Sequence, residues 1–435
     1  MKGMNSSTSD AGKLGAVRVW ALAAGGMVGG GIYVALGIVI SVAAQWAWLS
    51  FVIAGVVAVI SAFSYARLSV KYGKSGGAFE FLEKMDRDGL AGSLSWLLIL
   101  GYILTISVYA YAFGHYVAFA FHGGGMMIRG LALLIGLGLV GLNLAGLGKM
   151  TSVEVVIVSG NLLILVVLAV WGMWHWAPEE LLAGIEPLPA WSAVIGAAAI
   201  FISYEGFQLL TYEYDKVRNA EKIFLPVLVS AAIFVVLVYV AVTLGATMLA
   251  GALTMVEQKQ VALSVAATRA AGLPGLVVMT VAAGFATAAA INSTLYSTGK
   301  LAARVAQAGE LPQWFDHQNR FDVPDRPMIL VGVIATALAI IGSLSSLVEA
   351  SSLVFLGTFT VVNLICWKQM ETARWVPMAG VVLGTLVAIV LVLRLMLVAP
   401  VPLAMLLVLA FLIFIGRPAL LKRASTEAPD HGDTK

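Results

Sequence analysis

The sequence predicts an all-α polytopic membrane protein with twelve transmembrane helices. Two observations predict it. Hydrophobic residues fill 60% of the 435 positions and charged residues only 11%, against about 25% charged in soluble domains. Apolar stretches of about 20 residues, the length that crosses a hydrocarbon core, also recur along nearly the whole chain. A soluble chain could not bury so much apolar surface, so lipid must be its solvent. The stretches are too long and too unalternating for barrel strands, and helices then satisfy every backbone group.

Taken in order, the stretches run near 18–40, 46–70, 93–121, 127–148, 152–176, 191–214, 226–250, 272–300, 328–345, 351–367, 376–398 and 400–417. The last two are divided at Ala399-Pro400-Val401-Pro402, on the prolines. Residues 1–17 are small and polar and lack the order of a cleaved signal peptide. They read as a cytoplasmic tail, as do residues 421–435. The connection 71–92 sets Phe79, Phe81 and Leu82 among charges and is expected to hold a short interfacial helix. The stretch 254–271 is amphipathic and is expected on the opposite surface. Placing the N-terminus inside leaves only Arg129, Lys259, Arg269 and Arg394 of the 26 Lys and Arg residues on the outer side. That asymmetry predicts a multi-pass protein of the cell inner membrane with both termini cytoplasmic.

Other function classes lose support here. A net charge of +3 argues for no nucleic-acid partner. Cys366 is the single cysteine and reads as a small core residue rather than half of a disulfide. No His, Cys or Asp set has metal-ligand spacing, and no cofactor is implied. The chain has no G-x-x-x-x-G-K-[ST] phosphate loop, which argues against ATP-driven transport without a partner. Trp171, Trp174, Trp176 and Trp191 read as an aromatic belt. His115 reads as a structural histidine.

Two stretches carry chemistry. The first contains Gly25-Gly26-Met27-Val28-Gly29-Gly30-Gly31, five glycines in seven residues. Each costs a plain helix about 1 kcal/mol against alanine. Close packing of small residues is one reading, but packing spaces its glycines at four. The other is an unwound break whose N–H groups and following helix dipole receive an anionic group. The sixth stretch contains Phe201-Ile202-Ser203-Tyr204-Glu205-Gly206-Phe207-Gln208, with Glu205 halfway down the span. A carboxyl there is either a structural hydrogen-bonding group or a carrier of protons or partner of a cation. Gly206 suggests a second break. Stretches one and six correspond if 1–5 and 6–10 are inverted repeats, and paired broken helices mark a carrier's binding site.

These residues resemble the amino acid–polyamine–organocation superfamily of permeases. Gly26-Met27-Val28-Gly29-Gly30-Gly31-Ile32-Tyr33 is similar to that family's G-x-x-G-x-G-I-F. Lys74-Ser75-Gly76-Gly77-Ala78-Phe79 resembles its S-G-G-x-Y. Gly206-Phe207-Gln208 with Asp215-Lys216-Val217-Arg218-Asn219 resembles G-F-D … E-E-V-K-N. Asn292 to Lys300 with Ala308-Gly309-Glu310-Leu311-Pro312 resembles N-x-x-x-Y-x-x-x-R … D-G-x-L-P. The resemblance implies a leucine-transporter-like 5+5 inverted repeat, 18–176 and 191–368, with two extra C-terminal helices in 376–420.

It further implies a substrate α-carboxylate at Val28, Gly29, Gly30 and Gly31. The amino group would lie near Ala23 and Ala24 and near Phe201, Ser203 and Tyr204. Phe207 would act as a gate, with Tyr102, Thr105 and Thr358 setting specificity. The chain departs from the family at Arg67, where a glutamate is common, and at Gly73, where a proline is. Where some proton-coupled members carry a lysine, this chain has Asn161, which cannot hold that charge. Coupling then falls to Glu205 and a proton, with a sodium site near Thr287 less favoured. The expected function is secondary active transport of amino acids, neutral or hydrophobic ones slightly favoured. An exchanger of cationic amino acids or polyamines is the alternative. A membrane enzyme or sensor is disfavoured, because no nucleophile–base pair and no output domain are evident.

Overall fold

The computed structural model describes residues 13–85, 88–147 and 152–416. The expected C-terminal tail, the end of the last stretch and residues 1–12 of the N-terminal tail lie outside the described residues. Every predicted stretch has a helical counterpart. They are α1 Ala16–Val28 and α2 Gly31–Ala43 for the first stretch, then α3 Ala47–Tyr72, α5 Asp88–Ala120, α6 Gly125–Leu144 and α7 Ser152–Trp174. The sixth stretch is α8 Ser192–Ala199 followed by two 3-10 turns, Phe201–Tyr204 and Phe207–Lys216. Then come α9 Ala220–Ala250, α11 Ala262–Gln307, α12 Asp325–Ile341, α13 Leu344–Gln369, α14 Trp375–Val398 and α15 Pro400–Phe411, with α4 Gly77–Glu83 and α10 Ala252–Glu257 short.

Eight described helices are long and apolar enough to cross a membrane, and the bent sixth stretch makes a ninth. One of the eight is the 57-residue run Ala16–Tyr72, which covers two predicted stretches. Helices α12 and α15 have 17 and 12 residues. The chain is therefore a multi-pass membrane protein, as the apolar pattern requires.

Burial orders these helices into an inner and an outer set. Helix α2, most of α8, the first turn after it and α1 from Val19 onward are largely buried. They sit among α3, α9, α11 and α13. Helices α6, α7, α12, α14 and α15 expose large apolar side chains such as Leu134, Val167, Val333, Leu393 and Val401. In lipid such exposure costs nothing, because hydrocarbon is as apolar as the side chain. Trp171, Trp174, Trp176 and Trp191 are all exposed. Cys366 is buried.

Two sequence expectations change, and one contact is added to the N-terminal tail. The N-terminal tail is anchored at its end: Leu14 N donates to Lys216 O at 2.7 Å and Arg218 N donates to Leu14 O at 2.9 Å. The backbone of residues 13–15 thereby gains strand-like partners at the end of the sixth stretch. The connection 71–92 does contain the expected short helix, α4, but its apolar side chains face protein. In α4, Phe79, Phe81 and Leu82 are buried, and Phe81 stacks on Tyr72 at 5.9 Å between ring centres. Gly76 N donates to Thr211 O, which draws α4 beneath the sixth stretch. These rings find protein partners, which removes the reason to seek lipid. The stretch 254–271 likewise folds inward. Val261 to Ala266 are buried, and Lys259 packs on α2 so tightly that a Cβ on Gly37 would fall 2.3 Å from its Cα. Gly272, at φ 61°, and Pro274 then break α11 before its long run.

Candidate functional site

The two glycine-marked stretches are both interrupted, at the same place in the protein. Helix α1 stops at Val28, Gly30 takes φ −144° and ψ −21°, and α2 starts at Gly31. A helix end leaves four carbonyls without helical partners, and a helix start leaves the first N–H groups so. The sixth stretch leaves helical geometry at Ile200 and turns at Glu205 and Gly206, and its two halves meet at 59°. Gly206 has φ 129°, which only glycine adopts without strain.

The breaks touch. A Cβ built on Gly26 would lie 3.0 Å from Gly206 C, and one on Gly206 would lie 2.3 Å from Gly26 C. Side chains then satisfy the irregular backbone. Tyr239 OH on α9 shares its one hydrogen between Met27 O at 2.8 Å and Ser203 O at 2.9 Å. Ser203 Oγ donates to Gly31 O. On α13, Ser352 Oγ accepts from Ile202 N and donates to Ala199 O. Tyr204 OH donates to Phe51 O. An unsatisfied backbone group buried in hydrocarbon costs several kcal/mol, so these contacts are what permits the breaks.

Glu205 stands in the break and is 1% exposed. Its Oε1 accepts from Gln208 Nε2 at 2.8 Å, and Gln208 Oε1 accepts from Gly206 N at 2.8 Å. The amide is thus oriented by the backbone, with its nitrogen turned to the carboxyl. Tyr109 OH donates to Oε2 at 3.4 Å. The two carboxyl oxygens thus meet an amide and a phenol, both neutral.

The remaining sequence candidates distribute as follows. Val28, Gly29, Gly30, Gly31, Phe201, Ser203, Tyr204 and Phe207 line the junction and are buried. Ala23 and Ala24 lie inside regular turns of α1, before the four carbonyls at its end. Phe207 packs on Tyr65 at 5.9 Å and on Phe359 at 5.4 Å. Tyr102 OH meets Tyr212 OH at 3.1 Å. Thr105, Thr287 and Thr358 each donate to a carbonyl on their own helix, Gly101, Ala283 and Phe355. Asn161 on α7 accepts from Tyr33 OH on α2. The open space beside Gly26 and Gly206 is ≈ 10 Å³, lined by Leu22, Gly25, Leu209 and Ser293 among others. That is about the room one water needs, so this state is closed around the junction.

Several working residues escaped the sequence reading. Tyr109 shares a helix face with Tyr102 and Thr105, and that spacing was a usable signal. Tyr239 and Ser352 carried none, being isolated polar residues in apolar runs. The face that bears Leu14 is closed by two ion pairs reaching α11. Glu213 contacts Lys216 and lies 2.7 Å from Lys300. Glu80, buried in α4, pairs with Arg304.

Comparison with known proteins gives the family. Residues 14–422 match the sequence profile described as amino acid permease, and the chain belongs to that family. Its relatives include proteins named as transporters. The inner membrane transport protein YbaT of Escherichia coli strain K12 is 28% identical over 82% of this chain and 85% of its own length. Cationic amino acid transporter 4, vacuolar, of Arabidopsis thaliana is 27% identical over 86% of this chain and 65% of its own length. The solved structure of MhsT in complex with L-phenylalanine aligns with 90% of this chain and 98% of that one. Its TM-score is 0.57 at 17% identity, a likeness of fold: the chain has the leucine-transporter-like fold that its motifs imply.

Proposed function

We propose that this member of the amino acid permease family is a secondary carrier of amino acids that works by alternating access and is coupled to protons through Glu205. The observation that carries the reading is the junction itself. Two interrupted helices bring irregular backbone and one buried carboxyl to a single point, between Gly26 and Gly206. The start of α2 offers N–H groups and a positive dipole end to an α-carboxylate, and the end of α1 offers carbonyls to an ammonium.

The closed junction has no room for a substrate, so binding must separate α1 from the sixth stretch. A ligand shifts such an equilibrium only by its differential affinity, so the substrate must bind the intermediate, occluded form best. Phe207, between Tyr65 and Phe359, would move as the gate. Both repeats, 18–176 and 191–368, would rock about this point, with the N-terminus and the Glu213–Lys300 pair on the cytoplasmic side of the inner membrane. Neutral amino acids are favoured slightly over cationic ones, because the rings of Phe201, Phe207 and Phe359 outnumber the one carboxyl.

Uptake of radiolabelled amino acids into proteoliposomes, with and without a pH gradient, tests this. Accumulation driven by an inside-alkaline gradient is expected for the native chain. Glu205→Gln, fixed in the neutral form, should exchange amino acids at a rate independent of pH and lose gradient-driven accumulation. Gradient-driven accumulation by Glu205→Gln would remove the proton from this carboxyl. No uptake of any amino acid under proton or sodium gradients would remove the carrier reading.

A further inference from the structure

Tyr109 of α5 touches both broken helices. It is fully buried, and its ring lies on Gly30, the N-cap of α2. A Cβ added to Gly30 would fall 2.2 Å from the ring's Cε1 and 2.8 Å from its Cζ. The hydroxyl on that same Cζ donates to Glu205 Oε2 at 3.4 Å. The other carboxyl oxygen is held separately, by Gln208 Nε2 at 2.8 Å, and Gln208 is itself fixed by Gly206 N. The two grips differ in kind. Gln208 belongs to the segment that carries Glu205 and moves with it. Tyr109 comes from another helix, and its contact is long for a hydroxyl bond, which normally spans about 2.7–2.8 Å.

The ring covers the place that the carrier reading gives to a substrate's α-carboxylate, the start of α2. The open space beside Gly26 and Gly206 is ≈ 10 Å³, so a carboxylate enters the junction only where a side chain withdraws. Turning the phenol about its own axis leaves Cζ against Gly30. The ring therefore clears Gly30 only by swinging as a whole, and the hydroxyl leaves Glu205 with it.

We propose that Tyr109 is the positioning residue that reports substrate occupancy to Glu205, so that amino acid and proton travel in the same direction. The proposal rests on the carrier reading and on Glu205 as its proton group, and names the side chain that joins the two sites. With the junction empty, the phenol donates to Oε2 and stabilises the carboxylate. With a substrate seated, that donor is gone, and a buried carboxylate that loses a donor is disfavoured against its protonated form. The carboxyl then takes up a proton as the amino acid binds. Linkage makes the effect reciprocal, so acid tightens substrate binding by the same factor. One hydrogen bond is at stake, which sets that factor at about threefold to tenfold.

The other titratable groups that face Glu205 are tyrosines. Tyr102 comes from α5, Tyr65 from α3, Tyr239 from α9 and Tyr212 from its own segment. An ordinary phenol ionises near pH 10, well above the range in which a carboxyl couples transport to a proton gradient. Helices α1, α7, α11 and α13 bring Gly26, Val158, Ser293 and Phe359 to the junction, and none of these changes charge.

The test uses the full chain and has two arms. In the first, the purified protein in weakly buffered detergent with a pH indicator is mixed with the standard amino acids. The native chain is expected to draw protons from solution, and Glu205→Gln to draw none. Proton release by the native chain, or no change, overturns the proposal. In the second, half-saturation for counterflow of the same amino acids, radiolabelled, is measured in proteoliposomes at equal pH on both sides, from acid to alkaline. The native value should be about threefold to tenfold lower in acid. Tyr109→Phe keeps the ring on Gly30 without the hydroxyl and should lose this dependence, as should Glu205→Gln. Tyr109→Leu, which also lacks the hydroxyl, decides the matter if the Phe variant does not fold. A native-like pH dependence in the folded tyrosine variant, with Glu205→Gln flat, overturns the proposal and leaves the carboxyl's role standing. A native-like pH dependence in Glu205→Gln removes the Glu205 reading and this proposal together. A tyrosine variant that melts like the native chain but shows no counterflow also overturns it, assigning the hydroxyl to substrate binding.

Discussion

Gly26 and Gly206 meet backbone to backbone: a side-chain carbon added to Gly206 would sit 2.3 Å from the carbonyl carbon of Gly26. The two broken helices are thus held at a distance that only hydrogen side chains allow. Gly206→Ala adds a clash to a conformation, φ 129°, that alanine does not tolerate. It is expected to cost about 1–3 kcal/mol and to abolish uptake. Gly26→Ala meets its nearest atom at 3.0 Å and should cost less. Thermal denaturation in detergent and proteoliposome uptake check both.

Arg394 of α14 binds Glu349 of α13 within the apolar body, at 3.1 Å, with the carboxylate side chain 3% exposed. Arg394→Leu leaves that carboxylate unpaired and is expected to destabilise by about 3–5 kcal/mol. Adding Glu349→Leu should recover most of the loss, since an apolar pair replaces a charged one at little net cost. Melting temperatures of the single and double variants decide it.

The pair Glu213–Lys300 joins the end of the sixth stretch to α11. Lys300 is partly exposed, so the coupling measured by a double-mutant cycle should be small, about 1 kcal/mol or less. Its effect on opening should still be visible through the single cysteine. Cys366 is buried on α13, and maleimide labelling is expected to run faster in Lys300→Gln than in the native chain. Equal labelling rates would mean that the pair does not hold this face shut.

Tyr33 donates to Asn161 between α2 and α7. Tyr33→Phe strips Asn161 of its donor and is expected to cost about 1 kcal/mol. Asn161→Ala should cost a similar amount and should leave proton-driven uptake in place if Glu205 carries the proton. Loss of proton coupling in Asn161→Ala would transfer that role to this position.

The two breaks and the buried carboxyl were legible because each violates a local rule. Five glycines in seven residues contradict a helix, and a carboxyl in an apolar span contradicts its solvent. Glu80 and Arg304 violated no such rule. They sit in charged connections where most side chains are solvated, and 224 positions separate them. Phe79 and Phe81 misled for the same reason: an apolar residue among charges says that it will leave water, not whether lipid or protein receives it.

The sequence by itself determined the solvent, the helices and the points at which they break, because these depend on hydrophobicity and backbone preference within one stretch. Tertiary structure alone decided what meets at the breaks. Tyr239, Ser352 and Tyr109 became partners of irregular backbone and carboxyl only after α5, α9 and α13 packed around them. A hydrogen bond needs its two groups within about 3.5 Å, and no spacing along a single chain encodes which distant helix will bring the second group there.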